Sequence, residues 1–355
     1  MTATENQVPA PVTGEAKTRR TATPTWVLFA VGLAVLALSI GVAIGVGANG
    51  GSLQEVTRSV GTHLGLPVEP VSRLFDSLIW QLRVPRVLLA ALIGAMLAVS
   101  GTVLQGLTGN ALADPYLLGV SNGASVGAVA VTLFGLGGSA LGLSGGALVG
   151  ALLSFGLMML LLRNGMRTIR IVLTGVVVGQ LFAALTSLLV MASADAETTR
   201  AITYWLLGSM TSARWDEVVL CAIACVVGLA GCWTRSQALD AFSFGEDTAE
   251  SLGINVRVTR ITALILTALL TSVAVASVGA IGFVGLIVPH AARFVVGPRH
   301  RVLIPFAAIM GAVFLVLTDA LARIALAPRE VPVGVVTAVI GVPVFLLIMR
   351  RRGEL

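Results

Sequence analysis

GAIGFVGLIVPHAARFVVG, Gly279 to Gly297, decides how the chain folds. It starts as an apolar segment with spaced glycines and meets Pro289, after which His290 and Arg293 stand where hydrocarbon would reject them. Proline in a membrane helix leaves backbone carbonyls unpaired, and the bilayer holds no water to serve them. The stretch therefore predicts an apolar helix broken at Pro289, with the break enclosed by protein or lining a cavity. Such a feature belongs to a polytopic protein with a path through it.

The surrounding chain has the composition that such a protein needs. Of 355 residues, 56% are hydrophobic and 11% charged, against about 25% charged in an average soluble domain. Glycine accounts for 40 of them, and at membrane helix interfaces it lets backbones approach, so many closely packed helices are expected. The net charge of +6 comes from arginines lying between apolar runs. That is the pattern of a cytoplasmic collar in the lipid bilayer and argues against a nucleic-acid partner. Cys221, Cys225 and Cys232 share one apolar run with no cysteine elsewhere. They lack partners for a disulfide framework or a zinc site and read as small packing residues.

Ten apolar spans are predicted, near 26–48, 84–106, 114–134, 139–162, 170–193, 215–233, 259–279, 282–296, 302–326 and 331–349. The third and eighth are short or interrupted for a crossing, which takes about 20 apolar residues. Residues 1–25, rich in Thr, Pro and Ala, are expected to be a disordered cytoplasmic tail. Residues 26–352 form a single transmembrane domain, with both termini cytoplasmic because Lys and Arg then gather on the inner side. Two loops are longer than connection requires. Asp195–Arg214, outside, carries the interfacial pair Tyr204-Trp205 and predicts a short surface helix. Residues 234–258, inside, contain SFGEDTAESLG, in which Ser243 and Glu246 have capping-box spacing and Gly253 ends a short amphipathic helix. A helix projecting there is a handle for a cytoplasmic partner.

The sequence has no GxxxxGK(S/T) loop and no HExxH, and its three histidines are far apart. Transport would then need an ion gradient or a separate motor. An ion-coupled carrier relies on buried carboxylates, for which Asp114 and Asp319 are the candidates. Asp319 stands four residues before Arg323 on one helix face, where pairing is the plainer reading. A membrane-embedded enzyme would need a polar cluster in mid-membrane, of which Asp319 with Arg323 and His290 with Arg293 are the sole traces. His290 reads more simply as a residue of a helix end. Arg83 and Arg86 flank Pro85 at the outer mouth of the second span, and Arg323 nears the outer mouth of the ninth. Headgroup snorkelling is one account of them. The fixed R-V-P-R spacing favours another, a rigid docking point for carboxylates of an external partner.

Three stretches carry a resemblance: RVPRVLLAALIGAMLAVSGTVLQGLTGNALADPYLLGVSNGASVG (Arg83–Gly127), GFVGLIVPHAAR (Gly282–Arg293) and DALARIALAPREVPVGVVTAVIGVPVFLLIMRR (Asp319–Arg351). In order and spacing they resemble the FecCD-type permeases, membrane subunits of ATP-driven, binding-protein-dependent importers of ferric siderophores, haem and cobalamin. The resemblance implies an all-α polytopic membrane protein with the type II ABC importer permease fold, about ten transmembrane helices in the bacterial cytoplasmic (inner) membrane. It further implies a second permease subunit, the same chain or a paralogue, around a central path. A cytoplasmic ABC ATPase dimer would hold ATP and magnesium, and an extracytoplasmic substrate-binding protein would deliver the ligand. No catalytic residue, cofactor or metal of this chain's own is implied.

By the same resemblance, Arg83, Arg86 and Arg323 dock the binding protein. Ala238, Phe244, Glu246, Asp247, Ala249, Leu252 and Gly253 couple to the ATPase, so that a bulky charge at Ala249 should weaken its attachment. Asn110 and Leu112 form a cytoplasmic gate, and the external gate falls around Met191, Ser193 and Ala194. The family usually has proline between the two inner gate residues, where this chain has Ala111. Spans five and ten would line the path with mostly Gly, Ala, Val, Thr and Ser, leaving specificity largely to the binding protein. Ferric siderophore is the expected cargo, haem or cobalamin the alternatives, and an ion-coupled secondary carrier the rival class.

Overall fold

Every regular element among the described residues is helical. The computed structural model describes residues 24–46, 53–135, 140–192, 196–327 and 329–352. The tail expected over 1–25 lies outside them except for its last two residues. α1 (Thr25–Gly45) is the first apolar run, followed by α2 (Leu53–His63), α3 (Arg73–Ser77) and a π-helical stretch, Leu78–Arg83, that runs directly into α4 (Val84–Thr108). A 3₁₀ turn, Pro115–Leu118, leads into α5 (Val120–Leu133), and α6 (Ala140–Leu161) and α7 (Thr168–Ala192) follow. α8 (Ala196–Leu206) is the short helix expected in the Asp195–Arg214 loop. After α9 (Trp215–Thr234), the long loop holds two helices, α10 (Ser236–Phe242) and α11 (Glu246–Ser251). The chain closes with α12 (Val256–Val278), α13 (Val284–Val296), α14 (His300–Ile324) and α15 (Val333–Arg352).

Seven of these are long and apolar enough to cross a membrane, namely α1, α4 with its lead-in, α6, α7, α9, α12 and α14; α5, α13 and α15 contribute shorter apolar helices. They match the ten predicted segments, and α5 and α13 are the third and eighth, expected to be short. α4 and α12 are the most enclosed. Glycine explains how the bundle closes on α4: a Cβ on Gly94 would collide with the Gly311 carbonyl of α14, and one on Gly101 with the Gly285 carbonyl of α13. Backbone contact of this kind supplies the packing that lipid cannot drive hydrophobically. The three cysteines are free and buried in α9, with Cys221 Sγ 3.3 Å from Ser277 Oγ.

The predicted break is displaced. α13 runs through Pro289, and the irregular backbone lies before it, where Gly279 (φ 77°) and Phe283 (φ 69°) take left-handed values. Glycine tolerates that region and phenylalanine seldom adopts it. Proline does not break the helix because its defect is repaired from α4. The Gly285 carbonyl, deprived of an amide from residue 289, lies 3.4 Å from Gln105 Nε2, which also donates to Leu286 O at 3.1 Å. Arg293 Nη1 in turn donates to Gln105 Oε1 at 2.8 Å. The irregular stretch is served as fully. Tyr116 Oη donates to Ile281 O at 2.8 Å and accepts from Ile281 N at 2.7 Å, while Ser209 N donates to Val278 O at 2.8 Å. Enclosure of the irregular backbone, which the sequence predicts, is what these bonds provide.

A second correction concerns the expected capping box. α11 begins at Glu246 behind Gly245 (φ 95°), and the structure shows no side-chain cap from Ser243, which lies just beyond α10. Glu246 turns instead to Arg260 of α12. The helix does end as predicted: Gly253 (φ 81°) donates to Glu250 O at 2.9 Å and Ile254 N to Ala249 O at 3.1 Å, the two bonds of a Schellman stop.

Candidate functional site

α4 spans about 37 Å at the usual rise per residue, and each of its ends carries a distinct cluster. At its start, Arg86 grips Asp319 of α14 from Nε (3.1 and 3.2 Å) and Nη2 (3.0 Å), and donates from Nη1 to Glu330 Oε2 at 2.8 Å. Arg323 pairs with Asp319 at 3.2 Å, one turn away on the same helix. Its Nη1 and Nη2 donate to Val46 O at 2.7 Å and Ala43 O at 2.8 Å, and Arg83 Nη1 donates to Ile44 O at 3.2 Å. The last carbonyls of a helix have no intrahelical donor. Two arginines from distant parts of the chain supply them for α1.

The three arginines expected to dock a partner thus converge on one end of the bundle, in unequal positions. Arg83 and Arg323 are buried, at 8% and 7% exposure, and point inward to α1 without snorkelling. Arg86 reaches the surface through Glu330. Asp319 is paired on both sides, and Asp114 accepts from Tyr116 N at 2.8 Å as the cap of the 3₁₀ turn. Both acids that an ion-coupled carrier would need therefore have structural partners. Glu330 lies within the third quoted stretch, yet nothing in its spacing singles it out. Its role appears once the fold brings the α14–α15 connection against α4.

Near the same end, Tyr204 Oη of α8 donates to Glu330 O at 3.4 Å. A cleft of about 820 Å³ opens beside α8, lined among others by Glu197, Arg200, Tyr204, Trp205 and Ser209. Met191, near the end of α7, is exposed, whereas Ser193 and Ala194, the other expected outer gate residues, lie outside the described residues. His290 sits inside α13, buried and edge-on to Phe294 with ring centroids 5.1 Å apart. It is not at a helix end as expected. Among the described residues no group of His, Cys, Asp and Glu is arranged to hold a metal ion.

The far end of α4 leads into the turn of Asn110 and Leu112. Asn110 Oδ1 accepts from Leu112 N at 2.9 Å, and Thr108 Oγ1 accepts from Asn110 N at 3.3 Å. Side-chain bonds hold this turn, with Ala111 where proline was the family expectation. Both candidate gate residues are exposed.

α10 and α11 lie at this end as well. Phe244 and Leu252 are exposed at 73% and 65%, an unusual position for large apolar side chains beside helices this short. Asp247 is exposed, Ala238 half-buried, and Ala249 fully buried against the core. Ala249 therefore braces α11 from within, so a bulky charge there would act by unpacking the helix. Arg260, buried at the start of α12, donates from Nη1 to Glu246 Oε2 at 3.0 Å and from Nη2 to Oε1. The hydrogen bonding to Arg260, helped by the charges of Arg260 and Arg167, holds the Glu246 carboxyl below its ordinary value against the opposing effect of burial.

The model of the FecCD transport family matches residues 25–351. The chain is 38% identical over 332 residues to an uncharacterized ABC transporter permease protein, YvrB, of Bacillus subtilis, covering 91% of this chain and 93% of that one. It is 42% identical over 278 residues to the cobalamin import system permease protein BtuC of Halobacterium salinarum, covering 78% and 74%. With the vitamin B12 import system permease protein BtuC of Salmonella typhi it shares 40% identity over 288 residues, covering 80% and 87%. Among solved structures it is similar, at TM-score 0.81 and 30% identity, to one described as an inward-facing conformation of a metal-chelate type ABC transporter, covering 92% of this chain and 99% of that one. With ten apolar helices among the described residues and a near-complete family match, the chain belongs to the FecCD transport family, as a multi-pass permease of the ABC importer type whose ATPase is a separate chain.

Proposed function

We propose that this chain forms the membrane path of an importer for a large metal chelate, received from a binding protein at the Arg86 end and released at the α10–α11 end. The observation that carries the reading is the division of α4. One end bears a charged network that runs from buried Asp319 through Arg86 to Glu330 at the surface, and the other leads to exposed Phe244 and Leu252. Carboxylates of a docked protein would compete with Glu330 for Arg86, since arginine takes carboxylates in bidentate geometry. Apolar side chains exposed on α10–α11 suit a groove on a cytoplasmic ATPase. Closure of the ATPases would displace these helices, and rigid spans would carry the motion to the gates. A second permease, of the same chain or a paralogue, would complete the path.

Ferric siderophore is the first reading of the cargo. Cobalamin is the second, and the two BtuC proteins at 40% and 42% identity favour it. Uptake of iron-loaded siderophore, haem and labelled cobalamin, compared in cells with and without the chain, separates the readings. Loss of one tracer on deletion identifies the cargo class. Retention of all three would strike down the metal-chelate assignment.

A further inference from the structure

One pair ties α10 to the membrane-spanning helices: buried His300 and the half-buried Asp240. Asp240 is in α10 and His300 is the first residue of α14. Asp240 Oδ1 accepts from the His300 backbone amide at 2.9 Å and lies 2.7 Å from His300 Nδ1. A carboxylate offers acceptors alone, so Nδ1 carries the proton in this pair. The amide is one that the first turn of α14 cannot satisfy internally, and a carboxylate there is also favoured by the helix dipole. Burial by itself would raise the Asp240 carboxyl, yet the two bonds from His300 and the charges of His300 and Arg299 hold it below its ordinary value.

The other edge of the imidazole faces α4. His300 Nε2 is buried without a hydrogen-bond partner, and a Cβ built on Gly106 would collide with it. The ring is therefore a spacer set between α10 and α4 while its own backbone begins α14. A second grip steadies the same turn: Trp233 Nε1 at the end of α9 donates to Arg301 O at 3.0 Å, and the Arg301 guanidinium lies 5.8 Å from the centre of the Trp233 ring. α4 and α14 are the two helices whose opposite ends hold Arg86 and Asp319. Movement of α10 thus passes into α14 through hydrogen bonds and into α4 through the packing of the His300 ring against Gly106.

We propose that Asp240 and His300 are positioning residues that carry displacement of α10 into α4 and α14, and through those helices to the Arg86–Asp319 network. The proposal rests on the reading of α10 and α11 as the seat of the ATPase. Loss of the pair should leave the subunits assembled but uncoupled.

The test uses the complete permease–ATPase complex in lipid nanodiscs, with ATP hydrolysis measured before and after addition of the unliganded binding protein. His300→Ala should keep the ATPase bound and basal hydrolysis unchanged, while stimulation by the binding protein falls about tenfold, the scale of a charge-assisted hydrogen bond. His300→Asn, whose amide nitrogen can stand near the place of Nδ1, should restore most of that stimulation. Asp240→Ala should match His300→Ala, and the double variant should lose no more than either single one. The proposal is overturned if His300→Ala is stimulated like the wild type, if Asn and Ala fail alike, or if the ATPase is lost from the His300→Ala complex. A wild-type complex without stimulation would instead overturn the importer reading, and this proposal with it.

Discussion

Gln105 joins a helix defect to a charged side chain, and its removal should be felt in both. Its Nε2 serves the Gly285 and Leu286 carbonyls beside Pro289, and its Oε1 accepts from Arg293. Gln105→Leu preserves volume but leaves buried carbonyls unserved, at a cost of about 1–3 kcal/mol. The midpoint of thermal unfolding in detergent should fall by several degrees, and Pro289→Ala in the same chain should recover part of it by returning an amide to Gly285. An unchanged midpoint would show that the bond to Gly285 O contributes nothing. At the other end of α4, the burial of Arg83 and Arg323 redirects the test of docking. Reversing their charge would strip α1 of its terminal donors, so Arg86→Glu is the informative substitution. Stimulation of ATP hydrolysis by the binding protein should be lost while the ATPase still copurifies. Glu330→Gln should act in the opposite direction and tighten docking, read as a lower dissociation constant for the binding protein. A weaker complex would mean that Glu330 supports docking and does not compete with it.

Among the elements, α11 separates what the chain's pattern makes legible from what it does not. Its stop was readable because Gly253 can take the left-handed turn that ends a helix wherever the helix packs. Its start was misread because Ser243 and Glu246 have the right spacing, while the partner that captures Glu246, Arg260, lies fourteen residues on in another helix. Pro289 was misread for the same reason. The defect was visible, but its repair by Gln105 comes from residues far away in sequence. Two predictions belong here. Phe244→Asp with Leu252→Asp should release the ATPase during copurification while the permease stays monodisperse; full retention would remove α10–α11 from the interface. The Glu246 carboxyl is held low, so its stabilising effect is complete above the ordinary glutamate value, roughly pH 4.3, and is lost as pH falls through the lowered folded value. Amide exchange over Glu246–Ser251, corrected for intrinsic rates, should accelerate on that acid side, and Glu246→Gln should abolish the dependence. Equal profiles for the two chains would contradict the linkage.

At the scale of the whole molecule, hydropathy makes the number and order of the ten apolar helices legible, because each must satisfy its backbone within itself whatever it packs against. Which helices are central is less so. α4 is enclosed through its own glycines, such as Gly94 against Gly311, and α12 is approached by Gly228 and Gly231 of α9 at Leu270 and Leu266; a glycine's partner is not written in its own segment. The bundle assigns structural partners to Asp114 and Asp319, and in the FecCD transport family the energy comes from a separate ATPase chain, whose proposed seat is where α10 and α11 stand. The most direct test is tracer accumulation in proteoliposomes holding the permease–ATPase complex, with the binding protein on the Arg86 side and no ion gradient. Accumulation of the chelate that the uptake comparison identifies should require both ATP on the α10–α11 side and the binding protein. Accumulation driven by a proton or sodium gradient without ATP would contradict the account.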